Sequence, residues 1–176
     1  MTSFFDLAST RRSYRKFTEE PVDDATIDKL LTTALMAPAG KRANPWEFIV
    51  VTDADMRQKL AACKPAGSAF VATAPVSVVV IADTEKSDVW TEDCSIAAIY
   101  LQLAAEDLNL GSCWAQVRLR QSCEEGKMAS QYVKELLQIP DKYEVECIIS
   151  IGHKTEQRGA FDMTRLQTEK IHRGQF

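Results

Sequence analysis

Chemistry-bearing residues concentrate in RRSYRK, residues 11 to 16. Four of these six residues are cationic, in a chain of 176 residues whose formal charge is −4. Clustered like charge repels itself unless an anion offsets it. Arginine's planar fork holds phosphate oxygens in pairs, and a neighbouring serine hydroxyl adds a donor. In an extended segment Arg11, Ser13 and Arg15 share one face, with Arg12 and Tyr14 on the other. Taken alone, the run reads either as a solvated basic loop or as a site for a compact phosphate.

Other chemistries have less support. The five cysteines, Cys63, Cys94, Cys113, Cys123 and Cys147, include no C-x-x-C pair, and His153 and His172 are the only histidines. A zinc site is therefore not expected, and no metal is assigned. Reduced thiols in a cytoplasmic protein are the plain reading. There is no G-x-G-x-x-G and no P-loop. The pI near 5.3 argues against a nucleic-acid partner. The first residues lack a charged run followed by an apolar one, so no signal peptide is expected. The longest apolar stretch, Pro75 to Ala82, is too short to cross a bilayer.

The elements that must position these residues follow from periodicity. Thr2 or Ser3 caps a short helix carrying Phe5, Leu7 and Ala8. Asp23 or Asp24 caps a second, with Ile27, Leu30, Leu31, Ala34 and Leu35 on one face. Pro38 ends it, and residues 37 to 45 form a loop. Trp46 to Val51 reads as a strand, and Asp53 opens a helix ending near Ala62. Pro75 to Ala82 is continuously apolar and reads as a buried strand.

Asp93 to Leu110 predicts a helix whose inner face is rich in alanine, with Gly111 as its terminating glycine. Trp114 to Leu119 predicts a strand, Ser130 to Leu137 a helix, and Val145 to Ile151 a last strand. Asp93 reads as a helix N-terminal residue. The tail from Lys154 to Phe176 is polar and aperiodic. Helices and strands are interspersed without a βαβ rhythm, which favours an α+β fold in one domain, residues 1 to 176.

RRSYRKF, then APAGKRANPWEFIVV, GSCW at 111 to 114, IPDKYEV at 139 to 145 and IISIGH at 148 to 153 occur in this order along nearly the whole chain. In that order they resemble the FMN-dependent nitroreductase family. The resemblance implies a mostly antiparallel sheet of four or five strands wrapped by helices. It implies an intertwined homodimer, with the tail from residue 154 packed on the partner subunit. It also implies two FMN molecules in the dimer interface, NAD(P)H as co-substrate, and a small-molecule electron acceptor such as a nitroaromatic, quinone or activated alkene. Hydride then passes through flavin N5 in a ping-pong cycle, and no side chain serves as nucleophile. Reductive dehalogenation, or flavin binding with little turnover, are the alternative readings.

Residue roles follow from the same resemblance. Arg11 and Ser13 match phosphate ligands, and Arg12 contributes mainly backbone. Arg15 matches the cation near the N1 edge of the flavin, where it tunes reduction. Arg165 matches a cation completing the phosphate site, with Lys154 and Arg158 as fallbacks. Ser112, Cys113 and Trp114 match the segment beside the flavin ring, where Cys113 reads as a packing residue. Pro38, Ala39 and Gly40 match the loop reaching the other subunit's flavin. Here the sequence departs from the pattern: Ala39 and Gly40 replace small hydroxyl residues, and Asn44 replaces the glutamine before Pro45-Trp46. Arg42 is either a substrate-attracting cation or a solvent-facing side chain.

Overall fold

A computed structural model describes residues 3 to 176. The elements are α1 (Phe4–Thr10), α2 (Asp24–Leu35), β1 (Trp46–Val51), α3 (Ala54–Ala61), β2 (Val76–Asp83), α4 (Trp90–Asp107), β3 (Leu110–Gln116), α5 (Ala129–Leu137) and β4 (Tyr143–His153). The four strands form one sheet in the order β1-β2-β4-β3, and every pairing is antiparallel. The fold is therefore α+β, with four strands.

Helices cover both faces of the sheet. On one face α2 and α4 bury Leu30, Ala34, Ala97, Ala98 and Leu101 against Val78, Val80 and Ile149. On the other, α3 and α5 bury Leu60 and Val133 against Val79, Val145 and Ile148. Covering on both sides explains why β2, a central strand, is apolar without alternation: all eight of its residues are buried. Burial of such side chains stabilises by about 1.5–3 kcal/mol each. No helix of the described residues is long and apolar enough to cross a membrane.

Caps formed where short polar side chains precede apolar periodicity. Ser3 caps α1 in a reciprocal box with Asp6, whereas Thr2 lies outside the described residues. Asp23 rather than Asp24 caps α2, accepting from Thr26 N at 2.9 Å. Asp53 caps α3. Leu35 departs from expectation: it is exposed, on the far side of α2 from the core.

Two boundaries also moved. Helix α4 starts at Trp90, three residues early, and stops at Asp107; the left-handed residue beyond its end is Asn109, at φ 59°. Gly111 does not end a helix. It is the second residue of β3, which starts four residues before Trp114 and pairs Gly111 with Gly152. Leu119, expected in that strand, is exposed and left-handed at φ 57°. The tail carries two short 3-10 turns, Met163–Arg165 and Thr168–Lys170, and is exposed from Thr155 onward.

Candidate functional site

The basic stretch is pinned along the free edge of β3. Ser13 forms a parallel bridge with Ser112, and the Tyr14 N–H donates to the Ser112 carbonyl at 2.9 Å. Further on, the Thr18 N–H donates to the His153 carbonyl at 3.0 Å. Of the alternation expected over Arg11 to Arg15, the structure shows the part centred on Tyr14: Ser13 is half-buried, Tyr14 buried and Arg15 exposed, while Arg11 and Arg12 are both half-buried. Tyr14 points inward and is 2% exposed. Gly111 makes room for it, since a Cβ at 111 would lie 2.9 Å from Tyr14 Cβ. Lys154 Nζ lies 5.2 Å from the ring centroid and Arg158 Cζ 5.4 Å. Cation–ring contacts of this kind contribute about 0.5–2 kcal/mol.

The cations around Tyr14 have different duties. Lys154 is buried in an ion pair with Glu106 of α4 at 3.0 Å, so its charge is already matched. Arg12 donates to the carbonyls of Ser9 and Arg11 and sits 5.6 Å over Phe161. Arg15 is exposed and makes no ion pair among the described residues, with Glu19 and Glu20 included. Arg11 is half-buried beside it. Arg158, 145 residues from Ser13, donates to the Ser13 carbonyl at 3.4 Å and holds Glu156 at 3.1 Å.

Cys113 reports where these charges converge. Burial pushes its thiol up, while Arg15, then a hydrogen bond to the Trp114 backbone, then Arg11 and Arg158 pull the other way. A thiol held protonated by burial is a poor nucleophile, and Cys113 acts as a packing residue. Ser112 is committed: its hydroxyl accepts from Gln102 Nε2 at 3.4 Å. Trp114 is half-buried on the α4 side, and its indole N–H donates to Gln116 Oε1 at 2.8 Å.

Pro38, Ala39 and Gly40 lie elsewhere. Gly40 N–H donates to Asp93 Oδ1 at 2.8 Å, near the start of α4. Lys154 meets Glu106 near its end. Thirteen residues separate Asp93 from Glu106, about 20 Å along a helix. Arg165 lies on an exposed turn, with its N–H donating to the Asp162 carbonyl. Arg42 is exposed.

The Nitroreductase family model matches residues 8–64 and 62–153. The chain belongs to the nitroreductase family. An FMN-dependent nitroreductase from Clostridium difficile R20291 superposes with a TM-score of 0.95 at 44% identity, over 98% of this chain and 100% of that one. A "Putative NADH dehydrogenase/NAD(P)H nitroreductase" from Archaeoglobus fulgidus is 34% identical over 93% of each chain. Rat iodotyrosine deiodinase 1 is 44% identical over 57 residues only, 32% of this chain and 20% of its own length.

Within this nitroreductase-family chain the structure gathers Arg11, Arg15, Ser112, Cys113 and Arg158 around the Ser13–Tyr14 backbone. Among the described residues, no hydrogen bond or ion pair joins the 38–40 loop or the Arg165 side chain to that cluster. The sequence motifs give Tyr14 no role; the alternation places it only on the face opposite Arg11, Ser13 and Arg15. The motifs also pass over Asp93's tie to Gly40, for which no local signal exists.

Proposed function

We propose that the protein is an FMN-dependent NAD(P)H oxidoreductase that reduces nitroaromatics, quinones or related small acceptors. The observation carrying this reading is the convergence of Arg11, Arg15 and Arg158 on the Ser13–Cys113 segment, in a nitroreductase-family chain. The residues present suit FMN. Outward cations on an extended strand answer a compact dianion, and Tyr14 holds them there at no cost in exposed charge. FMN, when bound, supplies the two-electron chemistry between NAD(P)H and acceptor.

The side chains bind, orient and exclude. Arg11 and Ser13 hold the phosphate, and Arg12 supplies its backbone. Arg15 offers a fixed cation that favours negative charge developing on the flavin's pyrimidine edge. Ser112, Cys113 and Trp114 line the ring side with backbone groups, since their side chains are committed inward. Arg165 and the loop Pro38–Gly40 reach the flavin from the other copy in a homodimer. The separation of that loop from the basic cluster supports two copies per site. So does an open apolar groove of about 940 Å³ between α1, α2 and α4, lined by Phe4, Leu7, Ile99, Tyr100 and Leu103.

The site then works without a nucleic-acid or membrane partner, in the cytoplasm. The test is a visible absorption spectrum of the pure protein, followed by anaerobic NAD(P)H titration and turnover with a nitroaromatic. A flavin spectrum, bleaching by NAD(P)H and steady turnover are expected. A colourless protein that takes up no FMN overturns the reading. Bleaching without turnover favours a flavin-binding role, and halide release from a halogenated phenol favours the dehalogenase alternative.

A further inference from the structure

The loop from Pro38 to Pro45 adopts a shape its own sequence disfavours. Lys41, Arg42 and Asn44 have φ of 53°, 57° and 43°. Non-glycine residues in this region are strained, and such strain persists only where the surroundings over-determine it. The restraint comes from α4. Asp93 is 2% exposed. Its Oδ1 accepts the Gly40 N–H at 2.8 Å, and its Oδ2 accepts the Ser87 hydroxyl at 2.8 Å. Ser87 Oγ in turn accepts the Val89 N–H at 3.3 Å. A Cβ at Gly40 would lie 3.0 Å from Val89 Cγ2, so a larger residue would push this closure apart.

Neither oxygen of Asp93 caps its own helix, whose N-cap Val89 has no side-chain bond. A buried carboxylate costs free energy unless it is fully hydrogen-bonded. Here Oδ1 holds a loop 53 residues away in sequence, and Oδ2 is held in turn by Ser87. Lys41 adds an ion pair to Asp88 at 3.5 Å, but both side chains are largely solvated, so it contributes little.

We propose that Asp93 is a positioning residue: with Ser87 it clasps the 38–45 loop in the form that meets the cofactor. This rests on the reading above that the loop serves the flavin site. The clasped loop carries Ala39 and Gly40 where the family pattern has hydroxyl residues. Without hydroxyls the loop acts through its backbone, and backbone groups orient a ligand only when the backbone is held still.

Trypsin provides a direct readout, because it cuts after Lys41 and Arg42. Cleavage at these two bonds is followed by mass spectrometry in folded protein, with and without FMN, for wild type, Asp93→Ala, Asp93→Asn and Ser87→Ala. Unfolding temperature is recorded in parallel. In Asp93→Ala, cleavage there should accelerate and the FMN dissociation constant should rise, each roughly tenfold or more, the size of a lost charged hydrogen bond. Asp93→Asn keeps an acceptor for Gly40 and a donor for Ser87, so both readouts should stay within about threefold of wild type. Unchanged cleavage in Asp93→Ala, or faster cleavage with unchanged FMN affinity, overturns the proposal. If Asp93→Ala does not fold, Ser87→Ala decides: no change in cleavage or FMN affinity overturns it. A wild-type protein that takes up no FMN overturns the cofactor reading instead; clasp-dependent cleavage would then still uphold Asp93's hold on the loop.

Discussion

Tyr14 is buried, with Lys154 and Arg158 close to its ring, while Ser13 beside it is half-buried and Arg15 is exposed. One inward aromatic ring thus anchors a run of outward cations. Lys154 is neutralised by Glu106, and removing either partner would leave an uncompensated buried charge. Arg15 has no such partner among the described residues, so its charge is available to a ligand. Arg15→Gln is therefore expected to tune the flavin more than release it. Its midpoint potential should fall by on the order of 30 mV, which is ~1.4 kcal/mol for a two-electron couple. FMN affinity should change less. Spectroelectrochemical titration is the check, and a wild-type potential would show that Arg15 does not face the ring.

Strand β3 couples the basic stretch to the sheet. Its second residue must be glycine because Tyr14 lies against it. Gly111→Ala should cost about 1–3 kcal/mol by overpacking, measured as a shifted urea midpoint. It should also weaken FMN uptake, because the stretch would lift from the strand; intact uptake would argue that Tyr14 does not anchor the site. Strand β4 carries a different strain. Its register slips between Val80 and Ile81 of β2, leaving Glu146 as an extra residue. Glu146 is buried, its Oε2 has no hydrogen-bond partner among the described residues, and Arg118 Nε is 3.9 Å away. Burial holds its carboxyl above the usual carboxylate value of 4.5, against the pull of Gln116 and Arg118. The folded chain thus keeps this proton to higher pH than the unfolded chain does. The contribution of Glu146 to stability therefore falls as pH rises from about 4.5 through the raised value. Glu146→Gln removes that loss. Its melting temperature should exceed wild type near neutral pH, and the gap should shrink as pH falls toward 4.5. A gap independent of pH would show that Glu146 binds its proton equally well in the folded and unfolded chain.

At the scale of the molecule, two exposed apolar surfaces lie on one chain. Phe4 and Ile99 line the groove of α1, α2 and α4, Phe5, Leu35 and Met36 are exposed as well, and Phe161, Met163, Leu166, Ile171 and Phe176 run along the tail. Monomers rarely expose so much apolar surface without a partner. Within the chain the start of the tail meets α1: the Phe161 N–H donates to the Ser9 carbonyl at 2.8 Å, and Phe161, Met163 and Leu166 face Phe5 and Ala8 across a small pocket. An interface joining these surfaces across a two-fold axis would exceed about 2,000 Å² in total, the obligate class. Truncation from Thr164 removes Arg165 and most of the apolar tail together. Dimer and FMN should be lost in parallel, as read by sedimentation and absorbance. A truncated chain that stays dimeric and yellow would show that the tail serves neither.

Local chemistry was enough to place most elements. The caps at Ser3, Asp23 and Asp53, the apolar run of β2 and the alanine face of α4 are set by neighbours two to four residues away. The motifs from RRSYRKF to IISIGH carried the family, and the alternation within RRSYR separated Tyr14 from Ser13 and Arg15, but only the fold showed that Tyr14 is the buried one. Sequence could not place the start of β3, because Gly111 and Ser112 have little intrinsic preference for a strand. Pairing with β4 and the packed ring of Tyr14 impose it. Nor could it show that Asp93 meets Gly40, or that Arg158 rather than Arg165 lies on the basic stretch within one chain. Those contacts join residues 53 and 145 positions apart. Such distances are closed only when the sheet assembles and buries its two faces, which no local pattern encodes.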